Sequence, residues 1–100
     1  MKHFHKKEYK HWITNYGFEE DNKSIDGLPC QYEILMHSNS CRPVWVAVDF
    51  NKQLVHIVKE LDSLARNVLR ETIDVSYTDT EEEYDFMIEL DTLVDKYMED

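Results

Sequence analysis

Apolar residues recur along the chain at two different periods. Phe4, Glu8/Tyr9, Trp12, Ile13 and Tyr16 recur at three- and four-residue spacing. That spacing predicts a helix over residues 4–15, with Gly17 as its stop because glycine reaches positive φ without a Cβ clash. Residues 19–29 are polar, end in Gly27-Leu28-Pro29 and read as a loop. From residue 30 the period falls to two: Tyr32, Ile34 and Met36 share one face of a strand, and Gln31, Glu33 and Leu35 share the other. Ser38-Asn39-Ser40 reads as a turn. Pro43 suits a strand start, and Val44 to Phe50 is rich in β-branched and aromatic residues. Asn51-Lys52 separates that strand from a third, Gln53–Val58.

The period then returns to that of a helix. Leu61, Leu64, Ala65, Val68 and Leu69 lie at i, i+3, i+4, i+7 and i+8, which predicts an amphipathic helix over residues 59–71. Ile73 to Tyr77 reads as a short edge strand or an extended linker. Thr80 and Glu83 fit a capping box for a terminal helix over residues 81–97. The expected fold class is α+β: a three-stranded antiparallel meander packed with three helices, in the order α-β-β-β-α-(β)-α, forming a single domain over residues 1–100.

Charge changes the picture of the last segment. The 100 residues carry 21 Asp and Glu against 11 Lys and Arg, a net charge of -10. The excess is not spread evenly. Residues 1–16 are locally basic, while residues 71–100 hold twelve acids and one lysine, or -11. A disordered acidic tail would have little use for Tyr84, Phe86, Met87, Ile88, Leu90, Leu93, Val94, Tyr97 and Met98 among those acids. The block therefore reads as a folded acidic helix. Such a charge disfavours direct binding to nucleic acid or anionic lipid and favours a basic protein partner.

Other chemistries find less support. Met1-Lys2-His3-Phe4-His5 is followed by no apolar core of a secretory signal, and no run spans a membrane. The expected location is the cytoplasm of a bacterial host, where Cys30 and Cys41 would be free thiols. Cys30, His37 and Cys41 are the best metal-ligand set by spacing, but no CxxC or HExxH accompanies them. Two glycines leave no phosphate-binding loop. The expectation is a non-enzyme with no catalytic residues, no cofactor and no metal.

On the terminal helix, carboxylates four residues apart lie about 6 Å apart along the axis, comparable to the phosphate spacing of a nucleic-acid strand. The Thr80-Glu81-Glu82-Glu83-Tyr84-Asp85-Phe86 run, the size and the order of elements resemble small acidic inhibitors encoded by phages and mobile elements, among them anti-CRISPR proteins of the DNA-mimic type. The resemblance implies that the acidic surface occupies the basic nucleic-acid-binding surface of a target, such as a CRISPR effector. The expected contacts are Asp74, Asp79, Glu81, Glu82, Glu83, Asp85 and Glu89, with Trp45 and Tyr77 as apolar anchors. Trp45 is included because it shares a strand face with Asp49, which reads as a solvent-facing residue. An immunity or antitoxin-like protein that neutralises a basic toxin is the alternative, and a small structural protein with a homodimer interface is the third reading.

Overall fold

The computed structural model describes residues 13–62, 64, 66–75 and 83–99, and the side chains of residues 83–85 fall outside that description. Residues 13–16 form a helical turn, α1. Five strands follow: β1 (Glu19–Glu20), β2 (Tyr32–His37), β3 (Pro43–Asp49), β4 (Leu54–Glu60) and β5 (Val68–Asp74). The helix α2 (Glu83–Met98) closes the described chain. The strands form one antiparallel sheet in the order β1-β2-β3-β4-β5, so every strand pairs with its neighbour in sequence.

This corrects the expected arrangement of three strands and three helices. The segment read as a helix over residues 59–71 is instead the end of β4, a turn and most of β5. The reason lies in β4. Val55, His56, Ile57, Val58 and Lys59 are all buried, and a strand buried on both faces needs hydrogen-bond partners along both edges. β3 serves one edge and β5 the other, through seven uninterrupted pairs from Leu54↔Asp74 to Glu60↔Val68. Asp62 stabilises the reversal between them. Its carboxylate accepts from the backbone N–H groups of Leu64, Arg66 and Asn67 at 3.0–3.2 Å. The local side chain thus satisfies donors that a helix would have used. Leu61 and Leu64, two members of the apparent apolar stripe, are 45% and 66% exposed.

The residues read as a loop over 19–29 contain the two-residue β1 and an isolated bridge between Lys23 and Pro29. Gly17 ends α1 as expected, with φ at 121° and its N–H bonded to the Thr14 carbonyl at 3.1 Å. A Cβ there would also meet Ile34 Cδ1 at 3.0 Å.

The two faces of the sheet differ. Val44, Val46 and Val48 of β3 and Val55 and Ile57 of β4 are fully buried, and they form one core with Phe86, Leu90 and Val94 of α2. Tyr32 of β2, Ile13 of α1 and Phe50 complete it. Full burial of each such side chain contributes roughly 1.5–3 kcal/mol, so α2 is held mainly by its apolar stripe. Its C-terminal end is also tied down. The buried Lys59 donates from Nζ to the Glu99 carbonyl at 2.8 Å, and the Asn39 N–H donates to the Met98 carbonyl at 2.8 Å. A cation near the last carbonyls of a helix also complements its dipole.

The opposite face carries Leu35, Trp45, Val58 and Arg70 in one cross-strand row, and Glu33, Ala47, His56 and Thr72 in the next. The loop after β1 covers part of it: the Ile25 N–H donates to Glu33 Oε2 at 2.8 Å, and Arg70 Nε pairs with Asp26 Oδ1 at 2.8 Å.

Candidate functional site

α2 presents its outer surface because its inner one is committed to the sheet. Phe86, Met87, Leu90, Val94 and Tyr97 are buried, while Ile88, Glu89, Asp91, Thr92, Asp95 and Lys96 are exposed. At about 100° per residue, those exposed positions separate into two flanks. Asp91 and Asp95 lie one turn apart on one flank, and Glu99 follows one turn beyond at the end of the helix. Ile88, 48% exposed, precedes this row, three residues before Asp91 and seven before Asp95. Glu89 lies on the other flank, next to Lys96 around the helix circumference.

Asp91 is fixed in place by α1. The Tyr16 hydroxyl donates to Asp91 Oδ1 at 2.6 Å. Burial, that hydrogen bond and the nearby Asp91 and Asp95 charges push the Tyr16 hydroxyl well above its ordinary value, so it stays a donor. Among the described residues, no Lys or Arg lies at ion-pair distance from the Asp91 or Asp95 carboxylate. Tyr97, at the sheet-facing side of α2, donates to Glu71 Oε2 of β5 and is pushed up to about 12 by burial and by that carboxylate.

Of the contacts expected from the sequence, the structure describes the side chains of Trp45, Asp74 and Glu89. Glu89 is on α2, whereas Trp45 and Asp74 belong to the face of the sheet that α2 leaves uncovered. The sheet therefore lies between Trp45 and Glu89. Glu83 and Asp85 open α2, but their side chains lie outside the described residues, as do Tyr77, Asp79, Glu81 and Glu82 entirely. The exposed row Asp91, Asp95 and Glu99 lies outside the contacts expected from the sequence. Their four-residue spacing is visible in the sequence, and Ile88 three residues ahead of Asp91 is the accompanying signal.

Trp45 is half-buried, though not because Asp49 marks a solvent face. Asp49 is 1% exposed. Its Oδ1 accepts from the Asn51 and Lys52 N–H groups at 3.0 and 3.2 Å and from Gln31 Nε2 at 3.3 Å. It is the anchor of the β3–β4 turn.

Cys30 is buried and Cys41 exposed, both as free thiols. Burial and the Glu33, Asp21 and Asp49 charges push the Cys30 thiol up to about 11, which makes it a poor nucleophile near neutral pH. Among the described residues, no three His, Cys, Asp or Glu side chains converge as metal ligands, and no helix is long and apolar enough to cross a membrane. A cavity of about 80 Å³ lies under Asp26 and Leu28 against His56, Arg70 and Thr72. It has room for ordered water, but it is well below the roughly 300 Å³ at which small-molecule sites begin.

No family model matches the chain, and neither a curated protein nor a solved structure does.

Proposed function

We propose that the protein is a non-enzymatic inhibitor that occupies the basic nucleic-acid-binding surface of a partner protein, in the manner of the anti-CRISPR type of counter-defence, inside a bacterial cytoplasm. The observation that carries the reading is the exposed row of Asp91, Asp95 and Glu99, with the exposed Ile88 one turn ahead of it. Carboxylates about 6 Å apart on a rigid helix can meet lysines and arginines that otherwise hold successive phosphates. Ile88 would supply an apolar anchor at the N-terminal end of the row.

Rigidity supports the same reading. α2 is fastened by its buried stripe, by Lys59 and Asn39 at its C-terminal end, and by Tyr16 at Asp91. A preformed charge row loses little entropy when it docks. The -11 over residues 71–100 adds long-range attraction for a basic partner and repulsion of free nucleic acid.

The test is capture from a bacterial lysate followed by mass spectrometry, with wild type beside an Asp91→Lys/Asp95→Lys variant. The expected result is recovery of a nucleic-acid-binding protein that the variant does not retain and that added DNA or RNA displaces. Capture of a basic toxin without displacement by nucleic acid would favour an immunity role instead.

A further inference from the structure

The face of the sheet opposite α2 is not uniform. In one cross-strand row Leu35 is 49% exposed and Trp45 half-buried, whereas in the next row Ala47 and His56 are 1% and 5% exposed. Residues 24–28, in the loop between β1 and β2, form a strap that bridges from β2 to β5 across this second row. Its Ile25 is tied to Glu33 of β2 and its Asp26 to Arg70 of β5, two strands that lie three spacings, or about 14 Å, apart.

The strap holds its own shape. The Ser24 N–H donates to the Leu28 carbonyl at 2.8 Å and the Gly27 N–H to the Ser24 carbonyl at 2.9 Å. Ser24 Oγ accepts from the Asp26 and Leu28 N–H groups at 3.3 and 3.2 Å. Its hold on the sheet is slighter. Among the described residues, the polar ties from residues 24–28 to the strands are the Ile25 N–H to Glu33 Oε2 and Arg70 Nε to Asp26 Oδ1. Arg70 is 59% exposed, and an ion pair open to solvent contributes little. Ile25 and Leu28 stay 57% and 37% exposed, and the cavity of about 80 Å³ remains beneath the strap. Internal bonding combined with little apolar burial is the character of a segment that opens locally.

We propose that residues 24–28 are a flap that swings off the sheet as one body while the five strands stay paired, uncovering His56. The hinge is the bridge between Lys23 and Pro29, beyond which the Asp21 N–H is held by the Gln31 carbonyl at 3.0 Å. Because Ile25 and Asp26 belong to one internally bonded turn, loosening the tie at β5 also loosens the tie at β2. The group uncovered is chemically distinctive. His56 Nδ1 lies 2.9 Å from Thr72 Oγ1, and no hydrogen bond among the described residues engages its Nε2. The flap is independent of the acidic-helix reading, since it lies on the other face of the sheet and uses none of Ile88, Asp91 or Asp95.

Diethyl pyrocarbonate, which acylates accessible neutral imidazoles, tests it at pH 7.5, where burial keeps His56 neutral. Peptide mass spectrometry reads the rate at His56 against the exposed His37 as internal reference. In the wild type His56 should react more slowly than His37. Arg70→Gln should speed His56 by roughly two- to fivefold, the range set by an exposed ion pair, and Glu33→Ala should also speed it. The Ile25 amide keeps its bond to Glu33 in Arg70→Gln, yet its hydrogen exchange should rise by the same factor as the His56 reaction. The β3 amides should keep wild-type protection. The proposal is overturned if wild-type His56 reacts as fast as His37, if neither variant changes its rate, or if Ile25 exchange ignores Arg70→Gln. Acceleration of the β3 amides in step with His56 would also overturn it, because the whole sheet would then be opening.

Discussion

Replacing Asp49 with alanine tests the account of the β3–β4 turn. The side chain is 1% exposed, and one of its oxygens receives the Asn51 and Lys52 N–H groups and the Gln31 amide. Hydrogen bonds to a charged acceptor contribute roughly 1.5–3 kcal/mol each when they form within the protein. Asn51 and Lys52 are exposed, so water can replace part of what their amides lose. Gln31 cannot be released as cheaply, because its Oε1 also accepts from the Phe50 N–H at 2.6 Å. The expected loss for Asp49→Ala is therefore about 2–4 kcal/mol rather than the full sum. Asp49→Asn keeps a neutral acceptor at the same place and should cost about 1 kcal/mol or less. Urea denaturation followed by tryptophan fluorescence and circular dichroism measures both. A loss below about 0.5 kcal/mol for Asp49→Ala, the range of an ordinary surface change, would refute the view that this carboxylate organises the turn.

Two further outcomes follow from the buried titratable groups. Burial holds His56 below its ordinary value of 6.5, and its Nδ1 lies 2.9 Å from Thr72 Oγ1. The unfolded chain therefore binds a proton at His56 before the folded one does. Stability should be fully present above about pH 6.5 and should fall as the pH drops below it, more steeply in the wild type than in His56→Gln. Equal slopes in a denaturation series from pH 7.5 to 5 (roughly one unit either side of the ordinary value) would contradict this. For the thiols, a maleimide probe should label Cys41 promptly in the folded protein and reach Cys30 only on unfolding; prompt labelling of both would contradict the burial of Cys30.

The elements with a single reading were legible in the sequence. The alternation in Tyr32–His37 and the β-branched run at Val44–Val48 have no helical alternative, and the terminal helix carries its own apolar stripe. β5 was not legible as a full strand, because Val68 and Leu69 satisfy a helical spacing with Leu61 and Leu64 by coincidence. What decides the matter is the outer edge of β4, a demand that arises only once the sheet exists. Asp49 misled for a related reason: a carboxylate in a strand reads as solvent-facing until its three donors are brought around it. For the candidate site, the acidity of the last helix was plain from composition. Which acids share a flank depends on the face the sheet takes, and the sheet's thickness between Trp45 and Glu89 cannot be read from spacing at all.

In the proposed function the Asp91, Asp95 and Glu99 row binds a basic site that otherwise holds nucleic acid. Titrating DNA or RNA against a captured partner, with wild-type protein and the Asp91→Lys/Asp95→Lys variant in parallel, tests it most directly. The expected result is mutual displacement for the wild type and no binding by a variant whose circular dichroism is unchanged. A partner that binds both proteins equally, or that holds nucleic acid and the wild-type protein together, would contradict it.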